Sequence, residues 1–223
     1  LEGNAAVSAL IDFVLHIDNH LVNIVNTFGN SSYFILFAII FIETGVVILP
    51  FLPGDSLLFA AAALAANPVY HLHISWFVLA FLIACIAGDS SNYWIGHNAE
   101  KILSRFTWFK RFLNEDSLAK GQEFFEKHGA MSIILARFMP IIRTFVPFVA
   151  AGSGFPYRKF IRYNLIACFA WVFICSAAGY FFGNIPVVKA HFSAVIIGIV
   201  VVSLIPAIVG FLKTKFASKS ANI

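Results

Sequence analysis

Three apolar stretches, Ile74 to Gly96, Leu165 to Gly183 and Phe192 to Leu212, each have the length and purity of a helix that crosses a bilayer. About 20 predominantly apolar residues span the hydrocarbon core. Within that core every backbone amide and carbonyl must be paired inside the protein, so such stretches imply an all-α polytopic membrane protein. Composition agrees: 60% of the 223 residues are hydrophobic and 12% charged, where a soluble domain carries about a quarter charged residues. The formal charge of +4 comes with no long Lys/Arg run and no RNA-binding signature, so nucleic acid is not an expected partner. Cys85, Cys168 and Cys175 all lie in apolar stretches and read as small hydrophobes, not as a disulfide or zinc framework. No basic n-region precedes a small-residue cleavage site, so no signal peptide is expected.

Two further apolar stretches are not simple spans. Tyr33 to Ala66 is too long for one helix and too short for two full spans with a loop, and it is interrupted at Pro50-Phe51-Leu52-Pro53-Gly54-Asp55. Ala130 to Phe155 carries Arg137, Pro140, Arg143, Pro147, Gly152 and Gly154. The distribution of positive charge decides how they sit. Lys and Arg cluster between His97 and His128, at Arg158, Lys159 and Arg162, and in the tail at Lys213, Lys215 and Lys219, whereas the connections Asn67 to His73 and Asn184 to His191 hold only Lys189. The positive-inside rule makes the three basic clusters cytoplasmic and the two poor connections external. Both flanks of Ala130 to Phe155 then lie on one side, so it is expected to be a re-entrant hairpin turning at its prolines.

The same logic makes Tyr33 to Ala66 a hairpin entering from the opposite face. Before it, Val7 to Thr27 has polar residues at steps of three or four, the pattern of an amphipathic helix that lies along the interface or packs on the protein body. Asn114 to His128, with Asp116/Lys120 and Glu123/Lys127 at i,i+4 spacing, is its counterpart before the second hairpin. The expected organisation is one membrane domain over residues 1–223. It is an inverted repeat of amphipathic helix, re-entrant broken hairpin and spanning helix, with halves at about 7–96 and 114–183, an extra spanning helix at 192–212 and a basic tail at 213–223. Such repeats place transport sites between discontinuous helices near the midplane.

Four charges sit where apolar residues belong: Glu43, Asp55, Arg137 and Arg143. Each costs roughly 2.5 to 3.5 kcal/mol at a helix centre on insertion scales, and such residues mark pathways or relays by default. The breaks at Pro50, Pro53, Gly54, Pro140 and Pro147 free backbone groups that must face protein or a wet cavity. The charges either clamp the hairpins as ion pairs or line that cavity. Guanidinium groups there would offer bidentate donors to a phosphate, and the carboxylates would repel it unless protonated, which makes them candidate proton-coupling groups. Asp89 and Asn92 read as interface-level polar residues, and Trp76, Trp94, Trp108 and Trp171 as interfacial or lipid-facing aromatics. None of the seven His lies deep in a span, so no metal or cofactor is expected.

The strings Phe41-Ile42-Glu43-Thr44-Gly45, Pro50-Phe51-Leu52-Pro53-Gly54-Asp55-Ser56-Leu57 and Arg137-Phe138-Met139-Pro140-Ile141-Ile142-Arg143, with Gly129 and Gly152, resemble the DedA family of bacterial inner-membrane proteins. The resemblance covers about Leu10 to Leu212. It implies a multi-pass protein of the bacterial inner membrane that transports lipids, with undecaprenyl phosphate as the substrate class implicated for bacterial members. It also implies Glu43 and Asp55 as the functional acidic pair and Arg137 and Arg143 as the functional arginines. After Tyr93-Trp94-Ile95-Gly96 many relatives have Arg, where this chain has His97.

The sequence therefore points to a flippase for a lipid phosphate, with membrane lipids as its surroundings and proton coupling through Glu43 and Asp55. The alternative is a proton-coupled antiporter or small-solute exchanger in which the arginines only balance charge. An enzyme is not expected: Ala151-Gly152-Ser153-Gly154 lacks the first glycine of a rhomboid-type loop, and no membrane-embedded His is available as a base. Cysteines introduced within Asn67 to His73 and Asn184 to His191 should be labelled from outside, and one at Glu115 should not. External labelling at position 115 would invert the assigned topology.

Overall fold

A computed structural model describes residues 17–45, 54–98, 131–199 and 201–202, and among them all regular structure is helical. The helices are α1 (Ile17–Phe28), α2 (Ser32–Gly45), α3 (Gly54–Ala65), α4 (Ile74–His97), α5 (Met131–Arg137), α6 (Pro140–Gly152), α7 (Tyr157–Phe182) and α8 (Pro186–Ala190), with 3-10 turns at Gly29–Ser31 and Pro68–Tyr70. Three helical stretches are long and apolar enough to cross a membrane: Asn19–Gly45, Ile74–His97 and Tyr157–Phe182. The first joins α1 to α2 through the 3-10 turn, where Gly29 takes φ +51°. The expected amphipathic helix and the start of the Tyr33 to Ala66 stretch thus follow one another directly. Residues 192–199, the start of the expected extra span, are helical. The rest of Phe192 to Leu212, Asn114 to His128, Pro50 and Pro53 lie outside the described residues.

Helix α1 takes the packed option. Ile17, Leu21 and Val25 recur every fourth residue and are buried, while Asn19, Asn23 and Asn26 on the other side are exposed. The buried row joins a core made by Leu36 and Ile40 of α2, Leu57 and Leu58 of α3, Phe77 and Phe81 of α4, and Trp171 and Val172 of α7.

The second proline-bearing stretch breaks where the residue before a proline is driven out of the α region. Met139 is extended (φ −113°, ψ 105°), and Pro140 opens α6, where its missing N–H costs nothing. Helix α5 ends just before, closed by Phe138 N donating to the Leu135 carbonyl and Met139 N to that of Ala136. Pro147 corrects the expectation: it lies inside α6 and makes no break. Its ring cannot donate to the Arg143 carbonyl one turn back, but one such loss is tolerated in a membrane helix packed on protein. Helix α7 also begins earlier than expected, at Tyr157 and not Leu165, so Arg158, Lys159 and Arg162 occupy its first turns.

Helices α2, α3, α5 and α6 have 14, 12, 7 and 13 residues. At 1.5 Å per residue none alone matches a hydrocarbon core of about 30 Å. The two full-length helices weave them together: α4 packs on α2 and α6, and α7 packs on α3 and α5. Glycines set the closest approaches. A Cβ on Gly96 of α4 would fall 2.4 Å from the Phe148 carbonyl oxygen of α6, and one on Gly179 of α7 would fall 2.1 Å from the Phe59 carbonyl oxygen of α3. Helix association in lipid relies on such small residues because no hydrophobic effect drives it.

Gly179→Ala should therefore cost about 1 to 3 kcal/mol, the usual penalty for overpacking against something that cannot move. It should lower the detergent melting midpoint. Gly198→Ala, where a Cβ meets nothing within 4 Å, should leave that midpoint unchanged.

Candidate functional site

Six helices deliver polar side chains to one place. The last turn of α2 brings Glu43 and Thr44, the first turn of α3 brings Gly54 and Asp55, and the middle of α4 brings Asp89 and Asn92. Helix α5 ends on Arg137, Arg143 lies in the first turn of α6, and α7 contributes Asn164, Cys168 and Trp171. Two charges suit their own helices: Asp55 at an N-terminus and Arg137 at a C-terminus oppose the macrodipole charge there.

Arg143 bridges the two acidic residues of the first broken stretch. Its Nη1 donates to Asp55 Oδ1 at 2.8 Å and its Nη2 to Glu43 Oε1. Glu43 is 1% exposed, and Oε1 also accepts from Gly54 N at 3.3 Å. A Cβ at position 54 would sit 2.3 Å from Glu43 Oε2, so the carboxylate would have to shift to admit one. The expected meeting of the hairpin charges is thus present at Arg143. Arg137 does something else: its Nη1 pairs with Asp89, not with Glu43 or Asp55. The Cys168 thiol donates to the same Asp89 oxygen at 3.5 Å.

Asp89 is 1% exposed, so the assignment of Asp89 to the interface is corrected. Its signal was available, because the cost that singled out Glu43 and Arg137 applies also to an acid within Ile74 to Gly96. Asn92 is corrected in the same way. It is buried, and its Nδ2 donates to the Thr44 carbonyl at 3.3 Å and the Thr144 carbonyl at 2.6 Å, tying α2 to α6 through α4.

Trp171 is the other correction. The indole is 2% exposed, and the guanidinium carbons of Arg137 and Arg143 lie 4.9 and 4.8 Å from its ring centroid. Its Nε1 donates to Asp55 Oδ1 at 2.7 Å. Tryptophan is the best cation–π partner, and a desolvated contact is worth about 2 kcal/mol or more. The position in mid-helix, away from either interface, was the sequence cue. Trp76 and Trp94 are more than half exposed, as lipid-facing aromatics should be.

The donor inventory is not exhausted. Among the described residues, Arg137 Nε and Nη2 and Arg143 Nε have no acceptor, and Glu43 Oε2 has no donor. A cavity of about 10 Å³ borders Asp89, Arg137, Arg143, Pro147 and Asn164, room for about one water. Asp55, with its side chain 18% exposed, is the least enclosed of the five charges. Several strong N–H donors are thus held in place beside that cavity but only partly used.

Comparison with known proteins bears on the same residues. The VTT domain matches residues 52–181. Protein DedA of Escherichia coli K12 is 47% identical over 213 residues, covering 95% of this chain and 96% of that protein. The chain belongs to the DedA family. Inner membrane protein YghB of E. coli K12 is 30% identical over 208 residues, 92% of this chain and 89% of that protein. An uncharacterized membrane protein of Mycobacterium tuberculosis, Rv0364, is 37% identical over 194 residues, 87% of this chain and 85% of that protein. No solved structure matches the chain. In this DedA family member the matched domain includes all of the central charges except Glu43, which lies just ahead of it.

Breaking a buried pair from one side strands a charge and costs about 3 to 5 kcal/mol, whereas replacing both partners with apolar groups is often neutral. Asp89→Ala should therefore destabilise the protein by that amount in a detergent melt. Asp89→Leu combined with Arg137→Met should recover most of the loss. Equal losses in the single and double replacements would show that the pair is not the source.

Proposed function

We propose that this DedA family member is a flippase that moves a lipid phosphate, undecaprenyl phosphate or a related carrier lipid, across the bacterial inner membrane. Arg137 and Arg143 bind the phosphate, and Glu43 and Asp55 couple its movement to protons. The carrying observation is the pair of buried guanidinium groups on the Trp171 ring, with N–H donors left over beside a small cavity. Family membership supports a membrane transporter-type role.

The charge count supports coupling. Three carboxylates, Glu43, Asp55 and Asp89, face two guanidinium groups, Arg137 and Arg143. With all five ionised the cluster carries one negative charge, which repels a phosphate, and each proton taken up by Glu43 or Asp55 frees part of Arg143 for another acceptor. The re-entrant hairpins and the inverted repeat belong to the same proposal. In their favour are the three helices α3, α5 and α6, each too short to span, and the reciprocal packing of α4 on α6 and α7 on α3.

A proton-coupled small-solute exchanger is the second reading, favoured by the size of the cavity: at about 10 Å³ it takes a water and not a phosphate in this arrangement. Lysine substitution separates the two. An ammonium keeps the charge but loses the planar two-point fork, and one charge-assisted hydrogen bond is worth about 1.5 to 3 kcal/mol. Arg137→Lys and Arg143→Lys should each weaken lipid-phosphate binding roughly ten- to over a hundredfold, read as flipping in reconstituted vesicles with folding checked by thermal melt. Near-normal flipping in both Lys variants, with loss only in the Ala variants, would sink the phosphate clamp and leave the arginines as charge balance, and proton flux without lipid movement would favour the exchanger.

A further inference from the structure

A second cavity, of about 150 Å³, lies at the end of the bundle away from the basic first turns of α7. It sits between the end of α3, the Pro68–Tyr70 turn, the end of α7 and α8. Its floor is apolar, with Ala63, Leu64 and Phe192, and its rim carries Lys189, Tyr70 and Asn67. Lys189 is the cation that stands alone in two connections otherwise free of Lys and Arg. A cation and two polar side chains over an apolar floor at a membrane-water boundary is the chemistry of an anionic head group with a hydrocarbon chain behind it. The walls are tied together, since Asn184 Nδ2 donates to the Ala63 carbonyl at 2.9 Å.

Two helices lead from this cavity to the central charges. Asp55 and Ala63 lie on α3, about 12 Å apart at 1.5 Å per residue, and Trp171 is followed along α7 by Gly179 and Gly183, which pack against Phe59 and Ala63 of α3. The Gly179 contact with Phe59 closes the seam between the two sites, and the central cavity has no room for a phosphate while its carboxylates hold Arg143. A lipid phosphate on its way to that centre needs a place to wait.

We infer that the cavity bounded by Lys189, Tyr70 and Asn67 is a docking site for the head group of a lipid phosphate, held by Lys189, with the start of its chain on the Ala63, Leu64 and Phe192 floor. This rests on the lipid-phosphate reading above, and it commits to the lipid rather than to free phosphate.

The test is protection of Leu64→Cys from maleimide in the full chain carrying Cys175→Ser, in phosphatidylcholine nanodiscs; Cys85 and Cys168 are buried. Dioleoylphosphatidic acid added to the nanodisc should slow labelling at position 64 severalfold, while labelling of Val69→Cys, exposed outside the cavity, stays constant. Dioleoylglycerol and inorganic phosphate should not protect. Lys189→Gln should raise the half-protecting fraction of phosphatidic acid roughly tenfold, the lower end for a charge-assisted contact near water, and Lys189→Arg should restore it. No protection by phosphatidic acid, equal protection by dioleoylglycerol or by inorganic phosphate, or protection that survives Lys189→Gln would each overturn the inference. Arg143→Lys keeps the two proposals apart: it should weaken flipping roughly ten- to over a hundredfold and leave protection at position 64 intact. Flipping unaffected by that change would sink the central phosphate site and not this one.

Discussion

Everything in this structure answers to the cost of keeping charge inside a membrane. Five ionisable side chains lie together, and four of them, Glu43, Asp89, Arg137 and Arg143, are almost wholly enclosed. No helix can satisfy such a group with its own backbone, so each charge dictates which other helix must stand beside it. Arg143 requires the ends of both α2 and α3, and Arg137 requires the middle of α4. Trp171 then fixes α7 against all of them, because both guanidinium groups lie over its ring and Asp55 accepts its N–H. The helix order around the centre is to that extent a consequence of pairing.

Pairing at this depth also needs helices that end there. A continuous helix hides its amides and carbonyls, whereas the ends of α2, α3, α5 and α6 bring charged side chains and helix termini to the same level. Met139, held extended by the following proline, ends α5 directly after Arg137 and lets Arg143 return within the first turn of α6. The spanning helices can then close around the broken ones only where their surfaces carry no side chain. Gly88 of α4 shows how tight this is: a Cβ there would meet Thr44 Oγ1 at 1.9 Å, in the residue next to Glu43. Asn92, one helical turn further on, bonds backbone carbonyls of both α2 and α6.

Much of this could be seen in the sequence, because membranes make two signals loud. Apolar length gave the span from Ile74 within one residue of its observed end, and misplaced charge picked out Glu43, Asp55, Arg137 and Arg143. What stayed hidden were matters of partner and facing. Asp89 looked like an interface residue because it lies nearer one end of its helix, and only the approach of α5 reveals it as the counter-ion of Arg137. Trp171 looked like a lipid-facing aromatic because hydropathy has no direction; the side of α7 that meets α3 is decided by Gly179 against Phe59. Proline's missing donor suggests a break at Pro147, yet one lost hydrogen bond is tolerated in a helix packed on α4. The start of α7 was misjudged for a related reason: Arg158, Lys159 and Arg162 mark where the lipid ends and place no limit on the helix.

Burial alone does not explain why so much charge is kept. Ion pairs at this depth are weak stabilisers, since desolvation offsets most of the Coulomb attraction, and apolar packing does as well or better. The arrangement instead leaves the arginines poised. The Trp171 ring attracts both guanidinium groups, at 4.9 and 4.8 Å, through a cation–π contact that consumes none of their N–H groups. A carboxylate that leaves, whether by protonation or by movement of its helix end, therefore releases donors without releasing the arginine. The two acids differ in this respect. Glu43 is enclosed and also accepts from Gly54 N, whereas Asp55 is partly open and shares one oxygen between Arg143 and the Trp171 indole. On the proposed reading, Asp55 is the member that gives way to a phosphate, because it is the less enclosed of the two and its departure still leaves Arg143 bound to Glu43. An incoming phosphate would meet an arginine already aimed, paired on one side and open on the other.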